Sequence, residues 1–263
     1  MSLAASQEPP DPRSREPEDS SPASEFQNHP KPVRIDVLTC RRKKIMLEGA
    51  DMRTYGATDL GRRIIEHGIR LIDELGLERF TFGKLASALG TAESSIYRYF
   101  DNKHRLLIYL VGWYWSWREL KLVFDTANIA DAKERLERGI RSVTEPVKEK
   151  GSFAQVDLRA LYRIAIAESA KAYMTKEVDE EHRQGCFGSF GRLSGRLHEL
   201  ILAACPRHPY PALLASTIID GSSSQRFFAD HLPTLTDSAG KDPIPDHFVH
   251  LAFASIAQAT KRP

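Results

Sequence analysis

Apolar residues recur every three or four positions through most of the chain from residue 59 onward, the spacing that gathers them on one face of a helix. Leu60, Ile64, Ile65, Ile69, Leu71, Ile72 and Leu75 make the first run, which Gly76 closes. A shorter run, Leu85, Ala86 and Leu89, is separated by Gly90 from a third built on Ile96 and Phe100. Gly90 falls where the chain leaves a helix, a position that favours positive φ. After Asp101-Asn102-Lys103 a long run passes through Leu106, Leu107, Leu110, Val111, Trp113 and Tyr114 to about Phe124. Further helices are predicted over Ala130–Lys150, which Pro146 bends or ends, and over Val156–Tyr173, Glu177–Ala204, Pro211–Leu232 and Asp246–Thr260. No segment alternates with the period of a strand. The chain is therefore predicted to be all-α with about nine helices, three in a small head and six in a larger body.

Composition narrows the class. The 263 residues suffice for one substantial core or two modest ones. No apolar run approaches the roughly 18 to 20 residues of a membrane helix, and the start lacks a basic segment followed by an apolar one. Cys40, Cys186 and Cys205 are widely separated, which argues against a disulfide framework or a zinc site and fits a reducing cytoplasm. A cytoplasmic protein without cofactors is expected.

Net charge is only +2, but its distribution is uneven. Residues 1–40 hold four Lys/Arg against seven Asp/Glu, whereas 41–110 hold thirteen against nine, so positive charge collects where phosphate would be met. The first 35 or so residues are rich in Pro, Ser, Glu and Asp, a composition expected to be disordered. Arg41-Arg42-Lys43-Lys44 is either a solvated tail end or an arm reaching phosphates or a minor groove. Three segments are expected: a disordered extension over 1–40, a small helical head over 41–105, and a larger helical body over 106–263.

Two short helices joined by a tight Gly-containing turn form the helix-turn-helix layout, whose second helix can enter a DNA major groove. Thr81 is placed to cap the first of them, and Thr91 offers a hydroxyl near the start of the second. An aliphatic first helix ending in Gly, then Thr81-x-x-x-Leu85-Ala86-x-x-x-Gly90, then Ile96-Tyr97-x-x-Phe100, then Asn102-Lys103 and a leucine-rich helix, resembles the amino-terminal domain of TetR-family transcriptional regulators. Residues 59 to 110 carry the resemblance. It implies a homodimer that binds double-stranded operator DNA, acts as a repressor, and is released by a small-molecule effector.

The resemblance places DNA contacts at Thr91, Glu93, Ser94, Ser95, Tyr97 and Arg98. Thr81 and Lys84 would touch the flanking backbone, and Lys103 would bind a phosphate at a helix N-terminus. Tyr97 is expected to lay its ring on the helix beneath, with Tyr99 and Phe100 in the core. In the body, Trp115, Phe153, Tyr162, Met174, Phe187 and Phe190 are candidates for an effector cavity, with Arg163, Glu168 or His198 as orienting groups; aromatic residues at this spacing also suit plain core. The last two helices would form the dimer interface through Leu213, Ile218, Ile219, Phe227, Phe228, Phe248, Leu251, Ala252, Ser255 and Ile256, unless that face packs within its own subunit.

Two other classes compete. Nine histidines, among them His247 and His250 three apart and the Asp230-His231 pair, would suit an enzyme. No His-Glu-x-x-His, Gly-x-Ser-x-Gly or Cys-x-x-Cys accompanies them, and no enzyme is expected. The other competitor is a helical ligand-binding or protein-interaction module that has lost DNA binding, a reading for which Gly83 leaves room.

Overall fold

A computed structural model describes residues 58–147, 152–153, 156–238 and 240–260; the predicted extension over 1–40, Cys40 and the Arg41–Lys44 run lie outside these residues. Ten α-helices and one minimal hairpin are present among them. The head comprises α1 (Asp59–Arg79), α2 (Phe82–Leu89) and α3 (Glu93–Tyr97). The body comprises α4 (Lys103–Thr126), α5 (Ala132–Thr144), α6 (Leu158–Tyr173), α7 (Val178–Arg183), α8 (Gly188–Ala204), α9 (Pro211–His231) and α10 (Ile244–Thr260). Ser152–Phe153 (β1) pairs antiparallel with Val156–Asp157 (β2) just before α6, a two-residue ladder that no alternating pattern announced.

Side-chain caps set half of the helix starts. Thr58, Thr81, Asn102, Asp131 and Asp157 each accept a backbone N–H of the first turn of α1, α2, α4, α5 and α6, satisfying donors that have no partner inside the helix. The expected helix over Glu177–Ala204 is two. Gly185 stands at φ 80° between α7 and α8, a left-handed conformation that breaks the helical ladder and raises the count from nine to ten.

The long helix α4 is the axis of the body. It packs against α1, α5, α6 and α8, so its side chains are buried on every side. Trp113, Tyr114, Trp115 and Trp117 are all under a tenth exposed. Two charges share that interior. Arg118, 2% exposed, donates from Nε to the Tyr114 hydroxyl at 2.8 Å, and from its two terminal nitrogens to the Ser142 and Glu145 carbonyls at 2.8 and 2.7 Å. It thereby meets the negative end of α5 while stacking over Tyr114, Trp117 and Tyr162. Glu119, 1% exposed, is paired with Arg192 and Arg196 of α8. A buried charge costs several kcal/mol when unpaired, and each of these is compensated. Cys205 is a buried free thiol, and Cys186 is likewise buried, its sulfur accepting from an Arg105 terminal nitrogen at 3.3 Å.

Candidate nucleic-acid interface

The turn between α2 and α3 is fixed by backbone geometry. Gly90 adopts φ 64° and ψ 36°, and its N–H reaches back to the carbonyls of Ala86 and Ser87. The Thr91 N–H bonds to the Ala86 carbonyl at 3.0 Å, so two of the last carbonyls of α2 are satisfied by the chain that leaves it. The cap of α3 is Ala92, in extended conformation and without a side-chain bond. Thr91 is drawn into closing α2, and therefore does not cap α3.

Helix α3 is only five residues long and is held from beneath. Ile96 and Phe100 are buried with Leu85, Leu89, Phe80 and Phe82, and Tyr97 sets its ring edge-on to Phe82 at 5.1 Å. The opposite edge is open: Glu93, Ser94, Tyr97 and Arg98 are exposed, while Thr91 and Ser95 are half-buried. Arg98 has no ion-pair partner among the described residues. Glu93 lies over Gly83, where an added Cβ would sit 3.4 Å from its Oε2. The Tyr97 hydroxyl is pushed above its usual range, first by desolvation and then by Glu93. Tyr99 is half-buried, with its hydroxyl 2.9 Å from that of Thr58.

Two expected phosphate contacts are engaged elsewhere. The Lys103 ammonium donates to the carbonyls of Leu77 at 2.9 Å, Glu78 at 3.2 Å and Phe80 at 3.5 Å. It turns inward because the end of α1 leaves those oxygens without helical partners, so in this arrangement it braces the head rather than facing solvent. Lys84, although exposed, donates to the Arg79 carbonyl at 2.7 Å. Thr81 is exposed but its hydroxyl accepts the Lys84 N–H at 3.3 Å. Arg63, not singled out from the sequence, donates to the Leu89 carbonyl at 2.7 Å; a basic residue on α1 carries no signal of so distant an acceptor.

The expected effector residues separate. Trp115, Phe187 and Phe190 line one cleft between α4, α6 and α8, together with Ile108, Val111 and Tyr173. Its interior has room for roughly one water. Tyr173 stacks on Phe190 and donates to Asp220 at 2.9 Å. Tyr162 lies instead against Tyr114 and Arg118, and burial pushes its hydroxyl up to about 12. Met174 is 75% exposed at the end of α6 and outside the cleft. Phe153 lies in β1, and its side chain is outside the described residues. Of the orienting groups, Arg163 is bonded to Asp73 and Glu168 to the Leu77 N–H.

The expected dimer face also divides. Ile218, Ile219, Phe248, Ala252 and Ile256 are each under a twentieth exposed within a single protomer, because α9 packs on α5, α6 and α8 while α10 closes over α5 and α9. They face the core of their own protomer. Leu213 is 65% exposed, whereas Phe227, Phe228, Leu251 and Ser255 are half-buried. The Ser255 hydroxyl is bound to His208 at 2.9 Å.

Among the described residues no group of three or more His, Cys, Asp or Glu is arranged to hold a metal, and no helix is long and apolar enough to cross a membrane. A helix-turn-helix with an exposed polar edge is thus mounted on a largely helical body. Residues 64–110 match the family model of bacterial regulatory proteins of the tetR family. Over those residues the chain is similar to the amino-terminal domain of that family. Among solved structures, a tetR-family regulatory protein from Rhodococcus RHA1 is 16% identical with a TM-score of 0.51, the alignment covering 76% of this chain and 97% of that one. The fatty acid degradation regulator FadR from Bacillus halodurans is 15% identical with a TM-score of 0.52, covering 76% and 96%. A transcriptional regulator from Saccharomonospora viridis, solved with choline, is 22% identical with a TM-score of 0.50, covering 74% and 94%. No curated protein matches the chain.

Proposed function

We propose that this chain is a homodimeric repressor that binds a short operator palindrome and leaves it when a small molecule binds the body. The observation that carries the reading is the division of α3 into a buried side, Ile96 with the adjoining Phe100, and an open side formed by Glu93, Ser94, Tyr97 and Arg98. A helix so held can lower its free edge into a major groove, where Ser and Glu meet base edges and Arg meets guanine or phosphate. Arg98 is the leading contact, since its charge is uncommitted and exposed. Thr81, Thr91 and Ser95 flank that edge and would meet the sugar-phosphate backbone.

Dimerisation gives the heads two half-sites in successive turns, about 34 to 36 Å apart. Leu213, Phe227, Phe228 and Leu251 are the residues available to an interface of α9 and α10. The effector would open the closed cleft at Trp115, Phe187 and Phe190, and it can shift the heads only through unequal affinity for two arrangements of the chain. The inward commitment of Lys103 and Lys84 favours a second reading, a helical ligand-binding module without DNA affinity. Selection of bound duplexes from random-sequence DNA, followed by titration with wild-type and Arg98→Ala protein, tests both. Recovery of a palindrome whose affinity falls at least tenfold in the variant supports the repressor; recovery of no sequence supports the module.

A further inference from the structure

The end of α1 is broken, and the break is held from the body. Gly76 stands at φ 74° and ψ 158° inside the helix span, so the Leu77 N–H loses its place in the helical ladder. That amide donates instead to Glu168 Oε1 of α6 at 3.0 Å. The Glu168 carboxylate is 9% exposed, and its second oxygen lies 2.8 Å from the Lys171 ammonium. Lys171 in turn lies 3.1 Å from Glu78. One turn earlier on α1, Asp73 receives two bonds from Arg163 of α6, at 2.8 and 2.6 Å. From the other side, Lys103 of α4 takes the carbonyls of Leu77 and Glu78.

Leu77 is therefore fixed at both backbone polar atoms by charged side chains of two body helices. It is separated from the first residue of α2 only by Glu78, Arg79, Phe80 and the cap Thr81. A shift of this turn must carry α2 and α3 with it. Glu78–Lys171 is a largely exposed pair of small energetic weight, and Asp73–Arg163 is a bidentate pair whose guanidinium is 56% exposed to water, whereas the Glu168 bond is buried, charge-assisted and made to the backbone of the turn itself.

We infer that Glu168 is a positioning residue for operator recognition, fixing the angle of each head on its body and so the half-site spacing that a dimer accepts. The inference rests on the repressor reading above. With Glu168 in place the recognition helices stand at one separation; without it, each head can swing and other spacings become acceptable.

The test uses the full chain and duplexes carrying the half-site recovered by selection, in three forms: the selected spacing, spacings longer or shorter by one or two base pairs, and a single half-site. Wild type should discriminate steeply between spacings. Glu168→Ala should reduce that discrimination by about tenfold, the factor expected for one charge-assisted bond, with single half-site affinity unchanged. Glu168→Gln, which keeps an acceptor for the Leu77 N–H, should restore most of it. Should Glu168→Ala not fold, Arg163→Ala carries the test, with an expected loss of discrimination of about threefold. Unaltered spacing preference in a folded Glu168→Ala protein overturns the inference while leaving the repressor reading intact. So does an equal loss on single half-sites, which marks a merely structural role. Failure of wild type to select any palindrome overturns both.

Discussion

Replacing Lys103 by Met separates two roles that one ammonium could play. As a phosphate contact it would lie at the operator; as a brace it holds the carbonyls that the broken end of α1 leaves unsatisfied. Two of its three bonds, at 2.9 and 3.2 Å, have good length, and the third, at 3.5 Å, is marginal. A hydrogen bond from a charged donor contributes about 1.5–3 kcal/mol when buried. Lys103 is only half-buried, so water replaces part of what is lost, and about 1–2 kcal/mol for the set is the expected cost. In a chain of this size each kcal/mol lowers Tm by about 2–4 °C, giving a fall of about 2–8 °C by calorimetry. Each phosphate contact contributes about 0.9 to the slope of log affinity against log salt. Lys103→Met should therefore leave that slope unchanged between 50 and 200 mM salt (an interval of about four-fold), whereas Arg98→Ala should reduce it by about 0.9 per head. An unchanged Tm together with a slope reduced by 0.9 or more would refute the bracing role.

Three further outcomes can be checked on the purified chain. Arg118→Met leaves the Ser142 and Glu145 carbonyls and the Tyr114 hydroxyl without their donor in the core, at about 3–5 kcal/mol and a fall in Tm of about 10 °C; a shift of about 2 °C or less would show that those acceptors find other partners. Burial holds the His208 imidazole below its ordinary value near 6.5, with Nδ1 accepting the Tyr210 N–H at 3.2 Å. The fold therefore favours the neutral ring, and stability from this group is intact above the unfolded pKa and lost as pH falls from about 6.5 through the lowered folded value. Wild type should accordingly lose more Tm than His208→Gln between neutral and mildly acidic pH, and parallel curves would count against it. Leu213→Asp should weaken self-association at least tenfold in sedimentation equilibrium without lowering Tm at a fixed monomer fraction, and an undiminished dimer would remove Leu213 from the interface.

What could be read from the sequence was whatever a helix announces locally. Thr81 and Gly90 mark the limits of α2 by chemistry that acts within a few residues, and both lie where the pattern put them. The same holds for Ile96 and Phe100, whose spacing turns one side of the motif inward. Features that depend on distant chain were not legible. Gly76 signals a stop, but nothing near it signals that Glu168, expected from the sequence as an orienting group for an effector, captures the next amide from 91 residues along the chain. The break at Gly185 was hidden because the apolar spacing continues on both sides of it.

The run Trp113-Tyr114-Trp115-Ser116-Trp117 shows the physical limit most clearly. Periodicity reports which face of a helix avoids water, not what covers it. A helix aromatic all round its axis can be satisfied only by neighbours on every side, which is the arrangement of α4 between α1, α5, α6 and α8. The reverse ambiguity governs α9 and α10. Their apolar faces suit either their own body or a second copy, and Ile218, Ile219, Phe248, Ala252 and Ile256 are taken by the body. The proposed dimer would then be built on what the body leaves uncovered. Its centre would shift from the middle of those faces towards the 65% exposed Leu213 and the half-buried Phe227, Phe228 and Leu251.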